Sequence, residues 1–394
     1  MISVSEAKSI ITESVSPMAP VQWSLLRAIG LTLAADVFAK TDIPAFPQSS
    51  MDGYTFAYHG WKLYNELFIE GEMAAGDAKA VEMRADKAIR IFTGAAVPPG
   101  ADTVVMQEKI RTEDSKLIIE DDKLRQGSNT RPQGSEIKAG ELALPTGTHL
   151  SPAAIGFLAG IGINEVSVFP SPSISIIVTG NELQQPGQRL EYGQVYESNS
   201  FTLTAALERM HIRDVSVQRV QDDAHALTRS LREALESADV VLLIGGISVG
   251  DYDFVLKAAT DCSVVPLFHK IKQRPGKPLY YGRKDKKLVF GLPGNPSSAL
   301  VCFYLYVQPA LEQLINCGSG ERTHHAPLGK TYHKEAGLTH FLKGYYDGQA
   351  ATPLDAQESY RLRSFARSNC LIQIDEEVID CIEGTVVEIH LLPM

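Results

Sequence analysis

Four short loops rich in glycine and proline carry the side chains best suited to handling a phosphate, an oxyanion or a cation. They are Thr179-Gly180-Asn181-Glu182, the stretch from Gly245, Gly246 and Ser248 through Gly250 to Asp251 and Asp253, Arg274-Pro275-Gly276-Lys277-Pro278, and Pro293-Gly294-Asn295-Pro296-Ser297-Ser298. Glycine lets backbone N–H groups approach a ligand closely, and each loop adds a charged or hydroxyl side chain. Together they describe an anion pocket with acidic patches. Each loop alone has a structural explanation as well. Gly245-Gly246 can turn the chain after a strand, Asp251 or Asp253 can cap the helix FVLKAAT, Lys277 can be a solvated loop lysine, and Pro293 to Pro296 can end a strand and start a helix. Their coincidence favours a site.

The elements that must position these loops are legible upstream of each one. SISIIVTG and DVVLLIGG are apolar runs of buried-strand type, DVSVQRV is a further strand, and SNSFTLTAALERM and AHALTRSLREALESA have helical spacing. Strands alternating with helices give a parallel sheet covered on both faces, and ligands in such sheets bind beyond the carboxyl ends of the strands. The loops fall there. Before this region, Val4, Ala7, Ile10, Ile11 and Val15 predict a helix capped by Ser3 or Ser5, and Ser151-Pro152 opens another, PAAIGFLAGIG. Between Tyr54 and about Gly134, pieces such as AIRIFTG and TVVMQEK predict a small β-rich unit. After about Glu321, LIQIDEEV and TVVEIHLL predict a small β-barrel or meander.

The 394 residues are too many for one ordinary core. A content of 44% hydrophobic and 21% charged residues is that of a globular protein, and a net charge of -10 argues against nucleic-acid binding, which needs a basic surface. No apolar run is long enough to span a membrane, and MISVSEAKSIITESV lacks the features of a secretory leader. The five cysteines are scattered without a CxxC pair, so the reading is a reduced, cytoplasmic protein with buried thiols. His324-His325 reads as a surface pair, and no GxSxG elbow accompanies the histidines.

The motifs SSMDGY, FTGAAVPPGADTVVMQE, VTGNEL, GGISVGDYDF, RPGKP and GLPGNPSSAL, in this order, resemble those of the molybdopterin molybdenumtransferases, the MoeA family that includes the E domain of gephyrin. The resemblance runs from about Ser5 to Leu392. It implies a multidomain α/β and β protein: an elongated discontinuous domain from residues 1–44 and 135–172, an inserted β-rich domain at 45–134, an α/β molybdopterin-binding domain with a mainly parallel sheet at 173–320, and a small carboxyl-terminal β-barrel at 321–394. It also implies a homodimer with the active site across the interface. The implied reaction joins molybdate to adenylylated molybdopterin, uses a divalent cation, usually Mg2+, and releases AMP and molybdenum cofactor. Transient contact with the adenylyltransferase or with acceptor molybdoenzymes goes with that role.

Carried onto this chain, the resemblance makes Asp52, Thr93, Glu182 and Asp253 the catalytic set. Glu182, Asp253 and Asp222 or Asp223 would hold the cation. Arg274, Lys277 and a hydroxyl of Ser297 or Ser298 would hold molybdate, aided by backbone N–H groups from Gly294 to Ser298. Lys270, Gly245, Gly246, Ser248, Gly250, Pro278, Pro293, Asn295 and Pro296 complete the substrate-binding group. The sequence departs from the family pattern in places. Arg274 stands where lysine is common, Glu136 where aspartate is frequent, Leu338 where an arginine is expected, leaving Lys343 as the nearby cation, and Arg361 and Arg363 where small residues are usual. Two rival readings remain: a molybdopterin adenylyltransferase, whose family shares the α/β domain but not the flanking ones, and a non-catalytic cofactor-binding or scaffold protein.

Overall fold

Residues 1–77, 82–247, 254–318 and 323–393 are described by the structure, a computed structural model. They divide into two compact units, one of residues 23–29 and 35–166, the other of residues 1–22, 30–34 and 167–394. In the first unit, six strands between Gly53 and Ile119 form one sheet in the spatial order Thr103–Met106, Gly53–Phe56, Lys87–Ile91, Leu67–Met73, Lys116–Ile119, Ile110–Glu113. All neighbours are antiparallel except Leu67–Met73 with Lys87–Ile91. Phe56, Leu67, Ile89, Ile91 and Val104 bury one apolar layer of it. The strands expected in AIRIFTG and TVVMQEK are present. The expected helix is Pro152–Gly160, where the Ser151 side chain accepts from the Ala154 N–H at 3.2 Å and proline occupies the first turn.

The second unit is built on alternating elements: β1 (Ile174–Thr179), α1 (Asn199–Arg209), β2 (Val215–Val220), α2 (Ala224–Ser237), β3 (Val240–Ile244), α3 (Phe254–Asp261), β4 (Val265–Lys270), β5 (Pro278–Lys284), β6 (Lys287–Leu292) and α4 (Pro296–Cys302). The sheet order is β2-β1-β3-β6-β5-β4. The first four strands are parallel, and β5 and β4 run antiparallel at one edge. Side chains alternate across the sheet as the pleat demands. Ile176, Val178, Leu242 and Ile244 pack with Leu203 and Leu207 of α1, whereas Ile177, Val241 and Leu243 pack with Leu227 and Leu231 of α2 and Val255 and Ala258 of α3. Burial on both faces explains why β1 and β3 are apolar throughout.

The amino-terminal helix, Val4–Ser14, starts on a capping box in which Ser3 and Glu6 satisfy each other's backbone N–H. Its buried stripe, Val4, Ala7 and Ile11 followed by Val15, joins the same core as α1 and α4. Within residues 1–44, this helix thus buries its single apolar face in the α/β core. In the carboxyl-terminal part, the strands Thr323–Pro327, Val386–Leu391, Cys370–Ile374, Thr339–Tyr346 and Ala351–Pro353 pair in sequence. A bridge between Leu328 and Ala351 joins the two ends of that path, so the expected small barrel closes. Cys262, Cys302, Cys370 and Cys381 are buried thiols.

Candidate active site

The register of the parallel strands decides which loops meet. Val178, Ile244 and Leu292 lie side by side, and Thr179 lies beside Val220. The chain therefore leaves β1, β3, β6 and β2 on one edge of the sheet, at Gly180, Gly245, Pro293 and Gln221. β1 connects to β2 on one side and β3 lies on the other, so the strand order reverses between β1 and β3, where open α/β sheets form their binding crevice. A cavity of about 630 Å³ opens there, with Gly180, Glu182, Asp222, Gly245, Gly246, Ile247, Pro278 and Pro293 to Pro296 in its wall.

Gly245 is required by geometry. It has φ +82°, and a Cβ there would stand 2.7 Å from the Thr179 carbonyl oxygen. The loop can then pass close over the end of β1. Next to it, the Asn199 Nδ2 donates to the Gly294 carbonyl at 2.8 Å, tying α1 to the turn after β6. The Asn199 Oδ1 is buried without a partner among the described residues. Glu197 is 3% exposed and accepts from the Ser200 N–H at 2.9 Å, so this carboxylate caps α1, whose N-cap Ser198 makes no side-chain bond. Asn199 and Glu197 both line the cavity. The sequence reading had them only as part of a helix start.

Of the cation ligands expected, Glu182 and Asp222 face the cavity. The two loops are linked, since the Asp222 N–H donates to Asn181 Oδ1 at 3.2 Å. The Asp222 side chain keeps contact with solvent, yet partial burial in the cavity wall, and then the charge of Glu182, raise its carboxyl above the ordinary aspartate value. Asp223 is accounted for otherwise: its Oδ1 accepts from the Ala226 N–H at 2.8 Å and caps α2. Of the two aspartates, Asp222 is the one in the cavity wall. Ser248, Gly250 and Asp253 lie outside the described residues, and no cluster of three or more metal-ligand side chains forms among the described ones. Two carboxylates that repel each other suit a hard divalent cation whose remaining ligands are water or substrate oxygens.

Arg274 and Lys277 are exposed and absent from the cavity wall, as are Lys270, the last residue of β4, and Ser297 and Ser298. Arg274 pairs with His340, and Gln273 with Thr339, in a parallel strand, and the Arg274 charge acts on Tyr332 and His340. The His340 ring is pushed down to about 4, by burial first and then by Lys334 and Arg274. The loop itself is held from inside by Gln273, fully buried, whose Nε2 donates to the Pro275 carbonyl at 3.0 Å and whose Oε1 accepts from the Tyr306 hydroxyl. Ser297 is fully buried and its hydroxyl has no partner among the described residues. Its N–H, expected to face an anion, donates to the Ser359 carbonyl at 3.0 Å. That contact removes one donor from the start of α4.

Ser359 belongs to a loop, residues 354–361, that the sequence reading did not place at the site. Ser359 Oγ accepts from Asn295 Nδ2 at 2.9 Å, and the next residue, Tyr360, lines the cavity. Lys343 holds this loop. It is 2% exposed, and its ammonium donates to the carbonyls of Ala356, Arg361 and Glu358 at 2.7, 3.0 and 3.3 Å. Burial lowers its pKa, yet three carbonyls satisfy its three donors. Lys343 is a structural anchor in the barrel wall, its ammonium spent on the 354–361 loop.

In the other unit, Asp52 and Thr93 meet. Asp52 Oδ1 accepts from both the Thr93 N–H and the Thr93 Oγ1, each at 2.8 Å. These bonds, backbone first, with a contribution from Arg90, hold the carboxyl below the usual aspartate range. Gly53 makes the approach possible, because a Cβ there would stand 1.8 Å from the Val105 carbonyl oxygen. Both side chains are exposed.

Three family models together match most of the chain: the MoeA N-terminal region (domain I and II) over residues 2–162, the probable molybdopterin binding domain over 175–313, and the MoeA C-terminal region (domain IV) over 325–392. The molybdopterin molybdenumtransferase of Haemophilus influenzae is 31% identical over 100% of both chains, and that of Staphylococcus aureus strain Mu50 is 32% identical over 95% of this chain and 91% of its own. The crystal structure of a molybdopterin biosynthesis MoeA protein from Pyrococcus horikoshii superposes with a TM-score of 0.84 at 26% identity, covering 99% of each chain. The chain belongs to the MoeA family. Within it, the binding-domain model covers β1 to α4, the segment that contributes most of the cavity wall, while Tyr360 comes from the C-terminal region. This MoeA-family chain thus uses both regions to build the cavity.

Proposed function

We propose that this protein inserts molybdenum from molybdate into adenylylated molybdopterin and releases AMP, as a molybdenumtransferase of molybdenum cofactor biosynthesis. The observation that carries the reading is the cavity at the β1–β3 switch point, which combines close-approach glycines with the Glu182–Asp222 pair in a chain similar along its whole length to named molybdenumtransferases. Gly180, Gly245 and Gly246 give room for the phosphates of the substrate. Asn199 Oδ1 accepts an N–H of the organic part, and Tyr360 offers an aromatic face beside it. Glu182 and Asp222 hold Mg2+, with Asp253 a third candidate. Bound there, the cation would polarise the phosphoanhydride and offset the charge of the two carboxylates. Arg274 and Lys277 remain candidates for drawing molybdate in from solvent, since both are exposed cations in the loop leading into Pro278 of the cavity wall.

The Asp52–Thr93 pair belongs to the same reaction in this reading, supplied by the partner subunit of a homodimer. Thr93 keeps Asp52 ionised and oriented, fit to place a charged or hydrogen-bonding group of the substrate. No helix among the described residues is long and apolar enough to cross a membrane. The test is AMP release from adenylylated molybdopterin by purified protein, with and without Mg2+ and molybdate. Release that requires both, with a molybdenum-loaded pterin as product, supports the transferase. Binding of the pterin with no AMP under any condition points to a storage or scaffold protein.

A further inference from the structure

A second cavity, of about 620 Å³, lies within the carboxyl-terminal part, against the same 354–361 loop whose Tyr360 faces the first. Four cations stand in its wall, Lys330, Arg361, Arg363 and Arg367, against one carboxylate, Asp355. Arg361 is partly committed, with its Nε 3.2 Å from Glu358 Oε2. Lys330, Arg363 and Arg367 have no ion-pair partner among the described residues, and all three are exposed. Such a cluster repels itself, and in a chain of net charge -10 it stands out from the general field. Between the cations, Pro353, Leu354 and Leu362 supply an apolar floor.

The walls are set before any ligand arrives. Lys343 pins the loop carbonyls of Ala356, Glu358 and Arg361 from beneath, and the Ser364 hydroxyl donates to the Ala356 carbonyl at 2.8 Å. A preformed cavity of this volume, with several guanidinium groups and an apolar surface, has the features of a site for a phosphate-bearing small molecule of nucleotide size. We propose that the Lys330–Arg361–Arg363–Arg367 cavity is a second anion site, separate from the first cavity, that binds a phosphate-bearing ligand of this class.

Inorganic pyrophosphate and AMP are the probes, titrated calorimetrically into the full-length protein at two ionic strengths. The proposal expects salt-sensitive pyrophosphate binding that weakens by about tenfold or more in an Arg363→Ser, Arg367→Ala double variant, and that is kept when the first cavity carries Asn199→Ala. AMP binding reduced in the same double variant would extend the ligand to nucleotides, whereas pyrophosphate alone would confine it to the phosphate group. Both arginines are exposed and unpaired, and an unchanged melting curve would confirm that the variant is folded. Pyrophosphate affinity unchanged in the double variant, or lost instead with Asn199→Ala, would overturn the second site. No readout depends on turnover, so failure here is distinguishable from failure of the transferase reading.

Discussion

Asp52 and Asp222 are both exposed aspartates in loops that follow strands, and their neighbours drive them in opposite directions. Asp52 is given two donors by Thr93 and is held ionised below the ordinary range. Asp222 receives no such donors among the described residues; partial burial and Glu182 raise its carboxyl. The first site is electrostatically complete without a ligand. The second is strained by like charge, which a cation would relieve in the proposed reading. The contrast separates a residue suited to orientation from a pair suited to metal binding.

The largest effect expected from breaking this contrast is at the unsatisfied pair. Asp222→Asn or Glu182→Gln should lower cation-dependent AMP release by about 100-fold or more, while either change removes repulsion and leaves the apo fold no less stable. Turnover within a few-fold of the parent would remove the pair from the mechanism. The pH dependence has a fixed sign. A carboxyl whose pKa is raised by folding binds more protons folded than unfolded, so the apo protein loses stability as pH rises from the ordinary aspartate value through the raised one. Mg2+ affinity should climb over the same window, because the cation and the proton compete for Asp222. Asp222→Asn should flatten both curves.

A smaller effect is expected at the anchor of the shared loop. Lys343→Met leaves three buried carbonyls without their donor and should cost about 2–4 kcal/mol in denaturant unfolding. It should also raise KM for the organic substrate more than it lowers kcat, because Tyr360 and Ser359 lose their support. An equal loss in both parameters would argue that the loop contributes to chemistry. Smallest in stability is Thr93→Val. Asp52 should titrate closer to the ordinary aspartate value by NMR, with little change in melting temperature, since the pair is fully solvated.

Much of this arrangement was legible before the structure. The β1, β3 and β6 runs, and the glycine loops after them, could be placed because strands buried on both faces are apolar throughout and parallel strands put their loops on one edge. The choice between Asp222 and Asp223 was not legible, because only the helix boundary shows that Asp223 is spent on capping Ala226. Nor was the separation of Arg274 from the cavity: the loop Arg274 to Pro278 turns around Gln273, a buried amide with no signature in sequence. Lys343 read as a cation near the site because burial is a property of the closed barrel. Tyr360 and Ser359 were missed for a related reason, since contact between the barrel loop and the start of α4 is a long-range pairing that no periodicity reports.

The central claim is that the two aspartate sites serve one reaction, each subunit of a homodimer completing the other's. Co-expressed, differently tagged Asp52→Asn and Asp222→Asn chains test it directly through AMP release. Each variant alone should be nearly inactive, and a random mixture should recover about a quarter of parent activity, because half of the dimers are mixed and each of those keeps one intact site. A mixture no more active than the separate variants would contradict the account.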